Sequence, residues 1–151
     1  MDLNSFIFNS INTTNKALFV YDTDNEVLNN FIENTPVAQL LVIGDNSNLQ
    51  EIPFNKFKHS ITHLDNSIEE AYLDHSLNSP VDLIYIDATV VTPNNLSMLS
   101  DCFDKNTTSF ILKFQKGRAQ SYSSNYLLNQ VKEDIVVHHI NENIGYVIYV
   151  P

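Results

Sequence analysis

Apolar and polar positions along this chain follow two rhythms. The first is set by Val81-Asp82-Leu83-Ile84-Tyr85-Ile86-Asp87-Ala88-Thr89, in which residues 83 to 86 carry no charge and include two Ile. A strand covered on both faces in the middle of a parallel sheet has this pattern, so the run predicts a central strand. Similar runs fall at Lys16 to Tyr21, Gln39 to Asp45, His59 to Asp65 and Ser109 to Phe114. Two more, Asp134 to Ile140 and Ile144 to Val150, are parted by Asn141-Glu142-Asn143 and read as an antiparallel hairpin. The second rhythm is helical. Val27, Leu28, Phe31 and Ile32 fall at i, i+1, i+4 and i+5 behind the cap candidates of Asp22-Thr23-Asp24-Asn25. Ser67-Ile68-Glu69-Glu70 opens a helix through Leu77, Pro93 precedes one over 94–104 with Leu96, Leu99 and Phe103 inward, and Tyr122, Tyr126, Leu127 and Val131 mark a last one.

The order is strand then connection five times, followed by two strands on a short turn. It predicts an α/β, Rossmann-like, doubly wound sheet of about seven strands, mostly parallel, with a C-terminal antiparallel hairpin and helices on both faces. Residues 46 to 57, broken by Pro53, read as a loop, and residues 1–16 as a leading segment packed on the domain. At 151 residues, a single domain over 1–151 is expected.

Composition narrows the function classes. A formal net charge of −10 with only eight Lys and Arg argues against direct nucleic-acid binding, which draws on basic side chains for its phosphate contacts, and fits a basic protein partner or plain solubility. The opening Met1-Asp2-Leu3-Asn4-Ser5-Phe6-Ile7-Phe8 has no basic n-region and too short an apolar run for export or spanning. With the lone Cys102 unable to form an internal disulfide, a cytoplasmic protein with no membrane role is the expectation.

Ligands of doubly wound sheets bind at the carboxyl ends of the strands, where strand order reverses. At those ends the chain places Asp22 and Asp24, Gly44 and Asp45, Asp65, Asp87 with Thr89, and Lys113 with Lys116 and Arg118. Each has a structural reading beside the functional one. Asp22 and Asp24 suit helix capping, Asp45 and Asp65 suit loops, and the basic group suits either an exposed turn or an anion. His138 and His139 point to opposite faces of a strand, and His59 and His63 stand too far apart at strand rise to share one metal. Cys102, beside Phe103, reads as a small core residue rather than a nucleophile.

Five strand-helix units and a closing hairpin resemble the class I S-adenosylmethionine-dependent methyltransferases over residues 16 to 151. Asp45 after Leu41-Val42-Ile43 resembles their ribose-binding acid, and with Gly44 stands on the cofactor side. Asp65 in His63-Leu64-Asp65-Asn66 resembles the acid near the adenine. Asp82-Leu83-Ile84-Tyr85-Ile86-Asp87-Ala88 resembles the fourth-strand motif, which implies a place for Asp87 by the transferred methyl. The departure is the first turn. That family has glycines there, whereas this chain has Asp22-Thr23-Asp24-Asn25, and none of its three glycines precedes Gly44.

Three functions follow from these residues. One is a methyltransferase-like module that has lost catalysis and acts through protein contacts. Another is an active enzyme using S-adenosylmethionine through an unusual loop at Asp22 and Asp24. A third is a Mg²⁺-dependent phosphoryl enzyme or receiver-like domain built on Asp22, Asp24 and Asp87, against which count Glu26, the unit at residues 59 to 77 and the closing hairpin.

Overall fold

The computed structural model describes residues 14–20, 37–43, 60–64, 68–74, 77–87, 98–115, 136–139 and 142–151; at 14, 15, 37, 38, 40, 60–64, 115 and 136–139 the description is of backbone only. Seven strands form one sheet: β1 (Thr14–Val20), β2 (Val37–Ile43), β3 (Ser60–Leu64), β4 (Leu83–Asp87), β5 (Ser109–Gln115), β6 (Val136–His139) and β7 (Ile144–Tyr149). Their order is β3-β2-β1-β4-β5-β7-β6. The first five run parallel, and β7 lies antiparallel between β5 and β6.

β4 is thus the middle strand of seven, as its uncharged run predicts, and all five of its residues are buried. Strand order reverses between β1 and β4, with Leu18 opposite Ile84 and Phe19 opposite Tyr85. The ligand crevice of such a sheet lies beyond the carboxyl ends of these two strands.

Register divides the sheet into two faces, because alternate residues of a strand point opposite ways. Leu18, Val20, Ile84, Ile86, Phe110, Leu112, Phe114, Val147 and Tyr149 share one face and join a single apolar cluster. Its cover comes from α1 (Ile68–Leu73), through Ile68 and Ala71, and from Leu77, Val81, Leu99, Cys102 and Phe103. The opposite face carries Ala17, Phe19, Leu83, Tyr85, Ile111, Tyr146 and Ile148, all buried. Phe19 and Tyr85 stack there with ring centroids 4.6 Å apart and planes 4° from parallel.

Two elements differ from expectation. The described part of the stretch expected as a helix over 94–104 is a 3-10 turn, Ser100–Cys102, closed by Cys102 N donating to Leu99 O at 3.0 Å and Phe103 N to Ser100 O at 3.2 Å. Phe103 then swings to extended backbone (φ −109°, ψ 124°). That exit lays its ring edge-on to Phe110 at 5.7 Å and against Tyr149 at 6.1 Å, contacts a continuing α-helix would carry past. α1 likewise ends at Leu73, short of the expected Leu77, which is buried in a turn. Of the leading segment read over 1–16, residues 14–16 are instead the start of β1, while residues 1–13, the loop 46–57 and the other helices read from sequence lie outside the described residues.

At the amino edge of the sheet a polar clasp ties three strands. Asp82 N donates to Lys16 O at 2.8 Å, Asp82 Oδ2 accepts from Lys16 N at 3.0 Å, and Asp82 O accepts from Ser109 N at 2.9 Å. Alongside, the buried Thr108 hydroxyl donates to Val81 O at 2.6 Å and accepts from Asp104 N at 3.0 Å. These bonds satisfy backbone groups just outside the ladder, where an unpaired group costs most.

Candidate functional site

The carboxyl edge of the sheet is the end where ligands of this architecture bind. β1 ends at Val20, β2 at Ile43, β3 at Leu64 and β4 at Asp87, side by side across that edge. Asp22 and Asp24 follow β1 in the chain by two and four residues, Gly44 and Asp45 directly follow β2, and Asp65 directly follows β3. All five, with Thr89, Lys116 and Arg118, lie outside the described residues.

Asp87 is the expected site residue whose surroundings are described. It is the last residue of β4, it pairs in register with Lys113 of β5, and its exposure is 0%. The Lys113 ammonium stands 4.0 Å from Asp87 Oδ2, on a side chain only 9% exposed. Lys113 in turn sits opposite Tyr146 of β7. Adjacent strands thus bring a carboxylate and an ammonium to the face that carries the stacked Phe19 and Tyr85. Sequence reading grouped Lys113 with Lys116 and Arg118 as a basic cluster; the structure gives it to a carboxylate. Cross-strand register decides that pairing, and a single sequence does not contain it.

The two carboxylates of the fourth-strand motif do different things. Asp82 closes the amino edge, while Asp87 stands at the carboxyl edge. Cys102 is a free thiol in the apolar cluster, and burial, more than any nearby charge, pushes it up to about 11. A thiol so raised is protonated at neutral pH and a poor nucleophile, in line with a core role. His63 lies on β3, and His138 and His139 pair with Tyr146 and Gly145 across the hairpin. Among the described residues no three His, Cys, Asp or Glu gather as a metal-binding group, and no helix is long and apolar enough to cross a membrane.

Solved structures share this architecture. A precorrin 8W decarboxylase from Methanobacterium thermoautotrophicum superposes with a TM-score of 0.69 at 14% identity, over 100% of this chain and 90% of that one. The spermidine synthase of Thermotoga maritima gives 0.68 at 11% identity, over 97% of this chain and 57% of that one. The N-methyltransferase NodS of Bradyrhizobium japonicum gives 0.62 at 9% identity, over 97% and 90%. The fold is that of the class I methyltransferases. At such identities the likeness is one of fold alone, and this chain spans little more than half of the synthase. The sequence matches no family model and no curated protein.

The fold's usual guest, S-adenosylmethionine, can be tested against the residues present. Beneath that cofactor the backbone must pass close, which favours glycine after the first strand. Here Val20, the last residue of β1, is followed by Tyr21-Asp22-Thr23-Asp24-Asn25, with side chains at every position and two carboxylates among them. Asp87 at the neighbouring strand end has no solvent-exposed surface and faces Lys113. A glycine-free turn sequence carrying two carboxylates departs from what this fold's cofactor favours after the first strand.

Proposed function

We propose that this methyltransferase-like domain works as a protein-binding or regulatory module and does not transfer methyl groups. The observation that carries the reading is the composition of the chain at the topological switch point. Where the strand order reverses, β1 runs into Asp22-Thr23-Asp24-Asn25, without a glycine and with two negative charges. A turn sequence without glycine brings bulk where this fold's cofactor favours bare backbone, and its two carboxylates carry the same sign as the cofactor's own. The burial of Asp87 against Lys113 supports the same conclusion, since a residue acting on substrate at this strand end needs an open approach. A net charge of −10 favours a basic partner, and a single buried thiol suits the reducing cytoplasm.

Titration calorimetry of the purified chain with S-adenosylmethionine and S-adenosylhomocysteine tests the reading. The expected result is no saturable heat at ligand concentrations up to about a millimolar, where a Kd of that order still corresponds to about 4 kcal/mol of binding. One-to-one binding at micromolar Kd overturns it.

A second reading, an active methyltransferase with an atypical loop, draws support from the chain positions of Asp45 directly after β2 and Asp87 at the end of β4. It requires cofactor binding that Asp45→Ala weakens by at least about tenfold, the loss expected when a charged hydrogen-bond acceptor is removed. The phosphoryl-transfer reading is less favoured on the extra unit at residues 59 to 77 and the closing β6–β7 hairpin, although a Lys beside Asp87 is what a receiver-like site would also hold.

A further inference from the structure

We propose that the exposed face of α1 and the adjoining 3-10 turn form a docking site for a basic, amphipathic segment of a partner protein, an inference that rests on the reading of the domain as a binding module. α1 buries Ile68 and Ala71 in the core and turns Glu69, Glu70, Tyr72 and Leu73 outward. Tyr72 is 43% exposed and Leu73 66%. Single exposed apolar residues are ordinary on protein surfaces, but here two adjacent ones flank a recess. That recess, about 160 Å³, is lined by Tyr72, Leu73, Asn78 and Asp101 together with the buried Leu77, and has room for an aliphatic side chain.

Charge selects the occupant. Glu69, Glu70, Asp74 and Asp101 are exposed around the apolar pair, residues 68–82 and 98–104 contain no Lys or Arg, and the one described cation nearby, the Lys16 ammonium, donates to the Ser79 hydroxyl at 3.2 Å, leaving the rim acidic in balance. Glu69 stands three and four positions before Tyr72 and Leu73, on the same side of the helix. A nucleic acid or an anionic membrane surface is repelled by such a rim. A second copy docked about a two-fold axis would set these carboxylates against their own counterparts. A segment with an aliphatic anchor flanked by Lys or Arg fills the recess and answers the rim together, as helix-in-groove recognition does elsewhere.

Selection of displayed random 16-residue peptides on the full chain tests the proposal, with Leu73→Ser and Asp101→Lys as comparison targets. Expected are enriched peptides carrying an aliphatic residue flanked by Lys or Arg, whose synthetic versions bind the full chain and lose at least about tenfold in affinity on Leu73→Ser, as truncation of a central anchor does. Their affinity should also fall with salt and on Asp101→Lys. Both positions are exposed, so circular dichroism melting should report an unchanged fold in each variant. The proposal is overturned by enrichment of acidic peptides, by no enrichment, by binding that survives Leu73→Ser, or by sedimentation showing a self-dimer that Leu73→Ser dissolves. Cofactor titration of the same samples separates the two readings. No peptide enrichment on the full chain while S-adenosylmethionine still fails to bind it removes only the docking site, whereas cofactor binding by the full chain removes the binding-module reading itself.

Discussion

The buried pair at the carboxyl edge makes a quantitative prediction. Asp87 is fully buried and Lys113 nearly so, with the ammonium 4.0 Å from Oδ2. At that distance two unit charges attract by about 4 kcal/mol at an effective dielectric of about 20, and removing one partner of a buried pair typically costs about 3–5 kcal/mol. Both side chains engage further groups as well as each other, which shifts the expectation to the lower end of that range. Lys113→Met should therefore destabilise the chain by about 3 kcal/mol, a large share of the 5–15 kcal/mol that holds an ordinary domain together. Asp87→Asn should cost less, because the long Lys113 stem can carry its ammonium toward solvent while Asp87 has no such route. The double variant should be more stable than the sum of the singles by at least about 1 kcal/mol. Urea unfolding with a constant m-value measures all three. Additivity within about 0.5 kcal/mol, or a Lys113→Met cost below about 1 kcal/mol, refutes the coupling.

Other sites give sharper local tests. A Cβ at Gly145 meets Phe114 Cζ at 2.5 Å, with Cε1 at 3.0 Å and Cε2 at 3.1 Å, and Phe114 is only 3% exposed. Gly145→Ala should thus cost about 1–3 kcal/mol in denaturant unfolding, and Phe114→Leu in the same chain should recover part of that loss. Asp82→Ala leaves the Lys16 amide without its acceptor and should cost about 1–3 kcal/mol, with Asp82→Asn milder because it keeps a carbonyl oxygen. The Cys102 thiol has its folded value raised from 9.0 to about 11, so folding favours the protonated form. The stability it lends is whole below pH 9.0 and drains away as the pH climbs toward about 11, so denaturation midpoints should fall across that window more in the native chain than in Cys102→Ala. Aromatic disulfide reagents at pH 8 should label Cys102 only as fast as the chain opens, and immediate stoichiometric labelling contradicts its burial.

Most of the fold was legible because burial on both faces leaves a plain mark. Leu83 to Ile86 read as a central strand, and β4 is flanked by β1 and β5. The hairpin turn at Asn141 to Asn143 correctly parted β6 from β7. The stretch around Leu99 and Phe103 misled, since apolar spacing over so few residues does not separate a 3-10 turn from a helix, and the aromatic contacts of Phe103 decide the matter from outside the segment. The site was legible only by position. Asp87 could be placed at a strand end, but its pairing with Lys113, 26 residues later in the chain, depends on register. Asp82 carried no local signal for its clasp, because its partners come from β1 and β5.

Asp82 and Asp87 stand at the two ends of β4, the first just before it and the second its last residue. Five residue steps of extended chain separate them, about 17 Å at the usual rise, so they act at opposite edges of the sheet. The amino-edge clasp and the apolar cluster beneath α1 stabilise the β1–β4–β5 centre without calling on the loops at the carboxyl edge. The Asp87–Lys113 pair braces the carboxyl end of the same strands, so the sheet that carries α1 is held at both edges by contacts between its own strands.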